Sequence, residues 1–162
     1  MPVYDFSARQ SLADIKQGIR VDRAAAVGAL GTNNIFTVAT GRVLLTGLIG
    51  ELTTLNDATA STLQITHLRT DVTTPVATVL SIASASTANA TAGTMYTLPA
   101  AVGTALVTSI NNSAAIMGLQ PWGIVLGVGG LRLVVGTGAT TGTIKWSVWY
   151  IPLDDGAYMA VA

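Results

Sequence analysis

The stretch Gly142-Thr-Ile-Lys-Trp-Ser-Val-Trp-Tyr-Ile-Pro-Leu-Asp-Asp-Gly156 decides the fold. In an extended chain Ile144, Trp146, Val148 and Tyr150 point one way, and Lys145, Ser147, Trp149 and Ile151 point the other. β-Branched and aromatic residues dominate it, as they do in strands. Pro152 has no N–H to donate and ends the ladder. Asp154, Asp155 and Gly156 carry turn chemistry. A tryptophan on each face predicts that neither face is fully wet, so this is a central strand flanked by earlier ones.

Working outward, the same alternation recurs in short pieces. Ile35-Phe-Thr-Val-Ala-Thr40 alternates up to a turn or bulge at Gly41. Arg42 to Thr54 reads as one long strand kinked at Gly47 or Gly50, or as two strands joined by a bulge. Ser61 to Arg69 and Val76 to Ala83 read as strands, separated by a loop over Thr70 to Pro75. Ser84 to Gly93 is a low-complexity loop. Met95 to Leu98 and Ala105 to Ile110 are short strands. Gly127-Val-Gly-Gly130, between Ile124–Leu126 and Leu131–Val135, predicts a tight hairpin. Tyr158 and Met159 suggest one more strand. Eight to ten strands with turns every 8–12 residues predict an all-β, antiparallel sandwich, jelly roll or small barrel.

The N-terminal fifth differs. Seven of the 16 charged residues lie between Met1 and Arg23. Ser11 and Asp14 resemble a capping box, and Leu12, Ile15 and Ile19 share one helical face. Arg23-Ala-Ala-Ala-Val27 is able to continue a helix as far as Gly28 or Gly31. The alternative is an extended arm that orders against a partner. Both readings make residues 1–33 an N-terminal arm and residues 34–162 the β-domain.

Composition narrows the function. The 162 residues suffice for one domain with a proper core. There is no cysteine, which removes disulfides and thiolate metal sites. Only 10% of residues are charged, against roughly 25% in ordinary soluble domains, and the formal net charge is zero. From Val72 to Leu131 there is no charge at all. Such a stretch suits either a Thr/Ser/Asn-coated β-surface or a face turned toward neighbouring subunits. No run approaches the ~20 apolar residues of a membrane helix, and no apolar leader core follows Met1. A soluble protein with no membrane role and no export by the usual route is expected.

Catalytic signatures are absent. His67 is the only histidine and lacks the companions a zinc site needs. There is no G-x-S-x-G elbow. Asp154-Asp155 is the only adjacent acid pair, and a turn accounts for it. Neither Gly127-Val-Gly-Gly nor Gly136-Thr-Gly leads into a helix or a Lys-Ser/Thr, so neither is a phosphate loop. Trp146 and Trp149 lie on opposite faces of one strand, so they make no shared sugar-stacking platform with Trp122; core packing explains them more simply. Basic residues are matched by acids, which gives nucleic acid no footprint. The expectation is no enzyme, no cofactor and no metal. A charged arm on a neutral β-domain is the profile of an assembly component, with Arg9, Lys16, Arg20 and Arg23 as polar anchors to a partner.

Two stretches add a resemblance. Asn34-I-F-T-V-A-T-G-R-V-L-L-T-G-L-I-G-E-L-T-Thr54 and Lys145-W-S-V-W-Y-I-P-L-D-D-G-Ala157 resemble the two ends of a group of small tailed-phage and prophage virion proteins. The likeness covers about a third of the chain. Ala39-Thr40 stands where that group's pattern has a glycine pair. The resemblance implies a head decoration (cement) protein on the virion's capsid surface, made in the host cytoplasm. It implies a β-rich trimer bound to the major capsid protein. A neck or tail component, or a glycan-binding module on the virion, are the alternatives.

Overall fold

The structure is a computed structural model that describes residues 18–109 and 123–162. Among these residues there are eleven strands and no helix. They are β1 (Ile19–Val27), β2 (Gly31–Ala39), β3 (Val43–Leu52), β4 (Thr62–Arg69), β5 (Ala77–Val79) and β6 (Met95–Thr97). The rest are β7 (Val107–Thr108), β8 (Ile124–Leu126), β9 (Gly129–Gly136), β10 (Thr143–Pro152) and β11 (Tyr158–Val161).

They form a two-sheet antiparallel sandwich. The first sheet has the order β1-β10-β3-β6-β7, with β8 also paired to β3. The second has the order β11-β2-β9-β4-β5. β10 is central, as its two-faced pattern predicts, with β1 on one side and β3 on the other. Its inward residues Ile144, Trp146, Val148 and Tyr150 are buried with Leu45, Leu48 and Leu52 of β3. The second sheet answers with Phe36, Val38, Leu63, Ile65, Leu131, Leu133 and Val135. Fully burying side chains of this size contributes about 1.5–3 kcal/mol each before entropy is subtracted.

β3 is one strand with a bulge. Trp149 pairs with Gly47 and Tyr150 with Leu45, which leaves Thr46 as the extra residue. Gly50 does not break the strand. It sits opposite Trp146, and a Cβ there would come within 2.7 Å of the indole ring. The glycine is the space into which the tryptophan packs.

Several expectations change. Residues 19–27 are strand, not helix, and are extended along β10 of the same chain. Alternation explains this: Val21 packs on the core while Arg20 and Asp22 face out. The arm expected over residues 1–33 is therefore shortened, because its last part is β1 and the opening of β2. The part over residues 1–17 lies outside the described residues. Gly127-Val-Gly-Gly130 is not a hairpin. β8 pairs with β3 in the first sheet and β9 with β2 and β4 in the second, so these glycines carry the chain across the sandwich. Val76–Ala83 holds only the three-residue β5; after it the ladder to β4 becomes irregular, with the N–H groups of Leu80 and Ser81 both donating to Ile65, while Ile82 bridges to Ala105. Of the strand expected over Ala105–Ile110, the described residues 105–109 hold the two-residue β7, and Ile110 lies outside the described residues. Thr40 adopts φ 68°, a left-handed conformation, at the position where a glycine pair was expected.

Two substitutions test this packing. Gly50→Ala should destabilise the fold by about 1–3 kcal/mol, because the rigid indole has to move; chemical denaturation followed by tryptophan fluorescence measures it. Thr40→Gly should stabilise by up to about 1 kcal/mol, since left-handed geometry costs a β-branched residue about 1–2 kcal/mol. That gain is offset in part by glycine's greater chain entropy when unfolded.

Candidate functional site

One cleft of about 170 Å³ opens at the end of the sandwich where β3 begins and β4 ends. Leu80, Ile124, Val125 and Leu126 give it apolar walls. Thr78 and His67 are its polar lining, and Arg42 and Arg69 stand at its lip. Both sheets build it: β8 and the start of β3 come from the first, β4 and β5 from the second.

His67 lies on the inward face of β4, opposite Leu131 of β9, and is 4% exposed. Its Nε2–H donates to the carbonyl of Gly127 at 3.1 Å. Burial pushes its pKa below the usual value of 6.5; the Gly127 contact opposes this, and nearby Arg69 adds to it. The ring is thus neutral at pH 7. It ties the crossing segment between β8 and β9 to β4.

The two arginines are fixed by carboxylates. Arg42 donates from Nε and Nη2 to Asp154 at 3.0 and 2.8 Å, and its backbone N–H donates to the same carboxylate at 2.7 Å. These bonds hold the Asp154 pKa down at about 2. Arg69 makes the same two-pronged pair with Asp71 at 2.8 and 2.6 Å, lowering that carboxyl also. Asp154, in the turn between β10 and β11, therefore ties that turn to Arg42 just before β3. Among the described residues no three His, Cys, Asp or Glu side chains converge on a metal-sized site.

The expected anchors are dispersed. Arg9 and Lys16 lie outside the described residues. Arg20 and Arg23 are both on β1, but Arg20 pairs with Trp149 and Arg23 with Trp146, so they face opposite sides. Arg20 is exposed, bridges to Asp22 at 2.9 Å, and sits over the Trp149 ring at 5.2 Å from its centroid. Asp22 accepts a hydrogen bond from Ser147 Oγ at 2.5 Å, the main cause of its lowered pKa. Trp146 is buried in the core while Trp149 lies under Arg20 on the outer face, so the two form no common platform. Trp122 lies outside the described residues.

Sequence reasoning missed the cleft. His67 was isolated in the sequence, and Arg42 and Arg69 are brought to it only by the pairing of distant strands. The Arg69-Thr-Asp71 spacing was the one local signal of a fixed guanidinium.

The chain matches no protein-family model, no curated protein and no solved structure.

The histidine has a measurable consequence. With its folded pKa below 6.5, the unfolded chain takes up the proton first, so stability is present above about pH 6.5 and is lost as pH falls toward the folded pKa. Asp154 adds a separate loss between about pH 4 and 2. Denaturant midpoints measured from pH 8 to 2 should show both steps, and His67→Gln should remove only the upper one.

Proposed function

We propose that this chain is a non-enzymatic structural component of a tailed-phage particle that attaches to the outside of the capsid and reinforces it. The observation that carries this reading is the distribution of charge over the sandwich. Of the uncharged stretch, residues 72–109 gather along one flank. There β5 ends the second sheet, β6 and β7 end the first, and Ile82 bridges to Ala105 between them. This flank exposes Val76 (73%), Ile82 (47%) and Val102 (48%) without a charged neighbour on the segment. The opposite flank, where β1 lies beside β11, carries Arg20, Asp22 and Arg23.

A free flank of this kind is costly to leave in water and cheap to bury. Apolar side chains gain about 25 cal/mol per Å² on burial. A surface without charges strands none, and an unpaired buried charge costs several kcal/mol. The winding supports the same reading. With β6 and β7 of the first sheet and β11 of the second set aside, β1, β3, β8 and β10 fall in the first sheet, and β2, β4, β5 and β9 in the second. This is the alternation of a jelly roll, an architecture used by capsid and lectin domains. Fold alone does not assign function; the resemblance of residues 34–54 and 145–157 to virion proteins directs the reading to the capsid. A trimer bound to the major capsid protein is the corresponding assembly.

Particles purified from the source should contain this chain in near-equal number to the coat protein. A dozen copies or fewer would place it in the neck or tail, and absence would overturn the reading. Val76→Asp with Ile82→Asp should leave the melting temperature within about 2 °C, as expected of exposed positions, and reduce co-sedimentation with coat-protein shells at least tenfold. Unchanged co-sedimentation would remove the flank from the interface.

A further inference from the structure

We propose that the cleft between the sheets binds an apolar group of benzene or leucine size that carries a carboxylate. This goes beyond the assembly role and does not depend on it. Size gives the first part: a cavity of about 150 Å³ lined by apolar side chains is enough to hold benzene, and this one measures about 170 Å³. Its walls, Leu80, Ile124, Val125 and Leu126, suit such a group. The neutral His67 ring keeps charge away from the interior, since its Nε2–H is committed to Gly127.

The lip gives the second part. Arg42 and Arg69 each use Nε and Nη2 on their own aspartate. Among the described residues this leaves the Nη1 donors of both guanidiniums without a partner. A guanidinium held in place on one edge is a preorganised donor on the other, and carboxylate is the group its planar N–H geometry fits. The aspartates cancel the net charge, so recognition comes from directed hydrogen bonds and not from a positive field. A ligand seated in the slot would place its carboxylate between the two lips. Two sources present this same chemistry: a small aromatic or branched-chain acid, and the free C-terminal residue of a peptide.

The test is a titration of the full chain at pH 7, followed by NMR. The probes are benzoate, benzamide as the uncharged isostere, and an acetylated tetrapeptide ending in leucine, with a free or an amidated C-terminus. Benzoate should move the single histidine's ring signals and the Gly127 amide saturably, in the millimolar range expected of about nine non-hydrogen atoms. Benzamide should bind several-fold more weakly. Arg42→Gln with Arg69→Gln should lower benzoate to the benzamide level while leaving benzamide unchanged. Tighter binding of the free-ended peptide than of its amide would identify a chain end as the source, and binding of benzoate alone a small acid. No saturable shift with any probe, or equal binding of benzoate and benzamide by the wild-type chain, would overturn the proposal. That comparison needs no variant, so it stands even if the double substitution fails to fold.

Discussion

The Trp146 indole lies across Gly50, and most of the sandwich depends on that contact. Among the described residues Trp146 is the largest fully buried side chain, and it belongs to the strand that links β1 to the rest of the first sheet. A side chain at residue 50 would push the ring into the rest of the core, and interiors pack near crystal density. The bulge at Thr46 lets β3 keep Gly50 opposite Trp146 and Leu45 opposite Tyr150 at once. A one-residue slip between these strands would turn their apolar sets outward. The glycine, the bulge and the tryptophan therefore set the register of the first sheet together.

At the end of the sandwich where β3 finishes, a polar pin does similar work. Asn56 is buried, donates from Nδ2 to Thr87 O at 2.9 Å, and accepts at Oδ1 from the N–H groups of Thr141 and Gly142 at 2.8 and 3.0 Å. Three loops that share no local sequence are closed by one amide. Among the described residues no buried side-chain polar atom lacks a partner, which is what makes such a polar interior affordable. The low-complexity run Ser84 to Gly93 is thus part of the packed body: Ser84 and Thr87 are buried, and Ser61 bonds the Thr87 hydroxyl.

How much of this was legible follows from the range of each interaction. β10, β4, β11 and the part of β2 from Ile35 were readable because alternation is local and survives in sequence. The sandwich followed from the number and spacing of such pieces. β1 was not readable, since Ala24-Ala25-Ala26 favours helix by propensity and only pairing with β10 overrides it. The Gly127–Gly130 crossing was read as a hairpin because glycine marks a reversal equally well whether the next strand stays in the sheet or changes sheets. At the site, His67 and Asp154 were visible as residues, but nothing local could bring Arg42, Gly127 and His67 to one cleft.

The same geometry explains why binding chemistry could sit on a chain with so few charges. Each guanidinium at the lip is held by its own aspartate, so the pairs are neutral overall and add no long-range field. Exposed pairs of this kind add little stability. Their contribution is orientation: Asp154 fixes Arg42 through three hydrogen bonds, including one from the backbone. The Arg69 guanidinium lies so close over Gly127 that a Cβ there would meet its Nε at 2.6 Å. The crossing segment, the histidine beneath it and the arginine above it are therefore one packed unit. A group entering the slot would be felt by both sheets, since Gly127 is where the chain leaves one for the other.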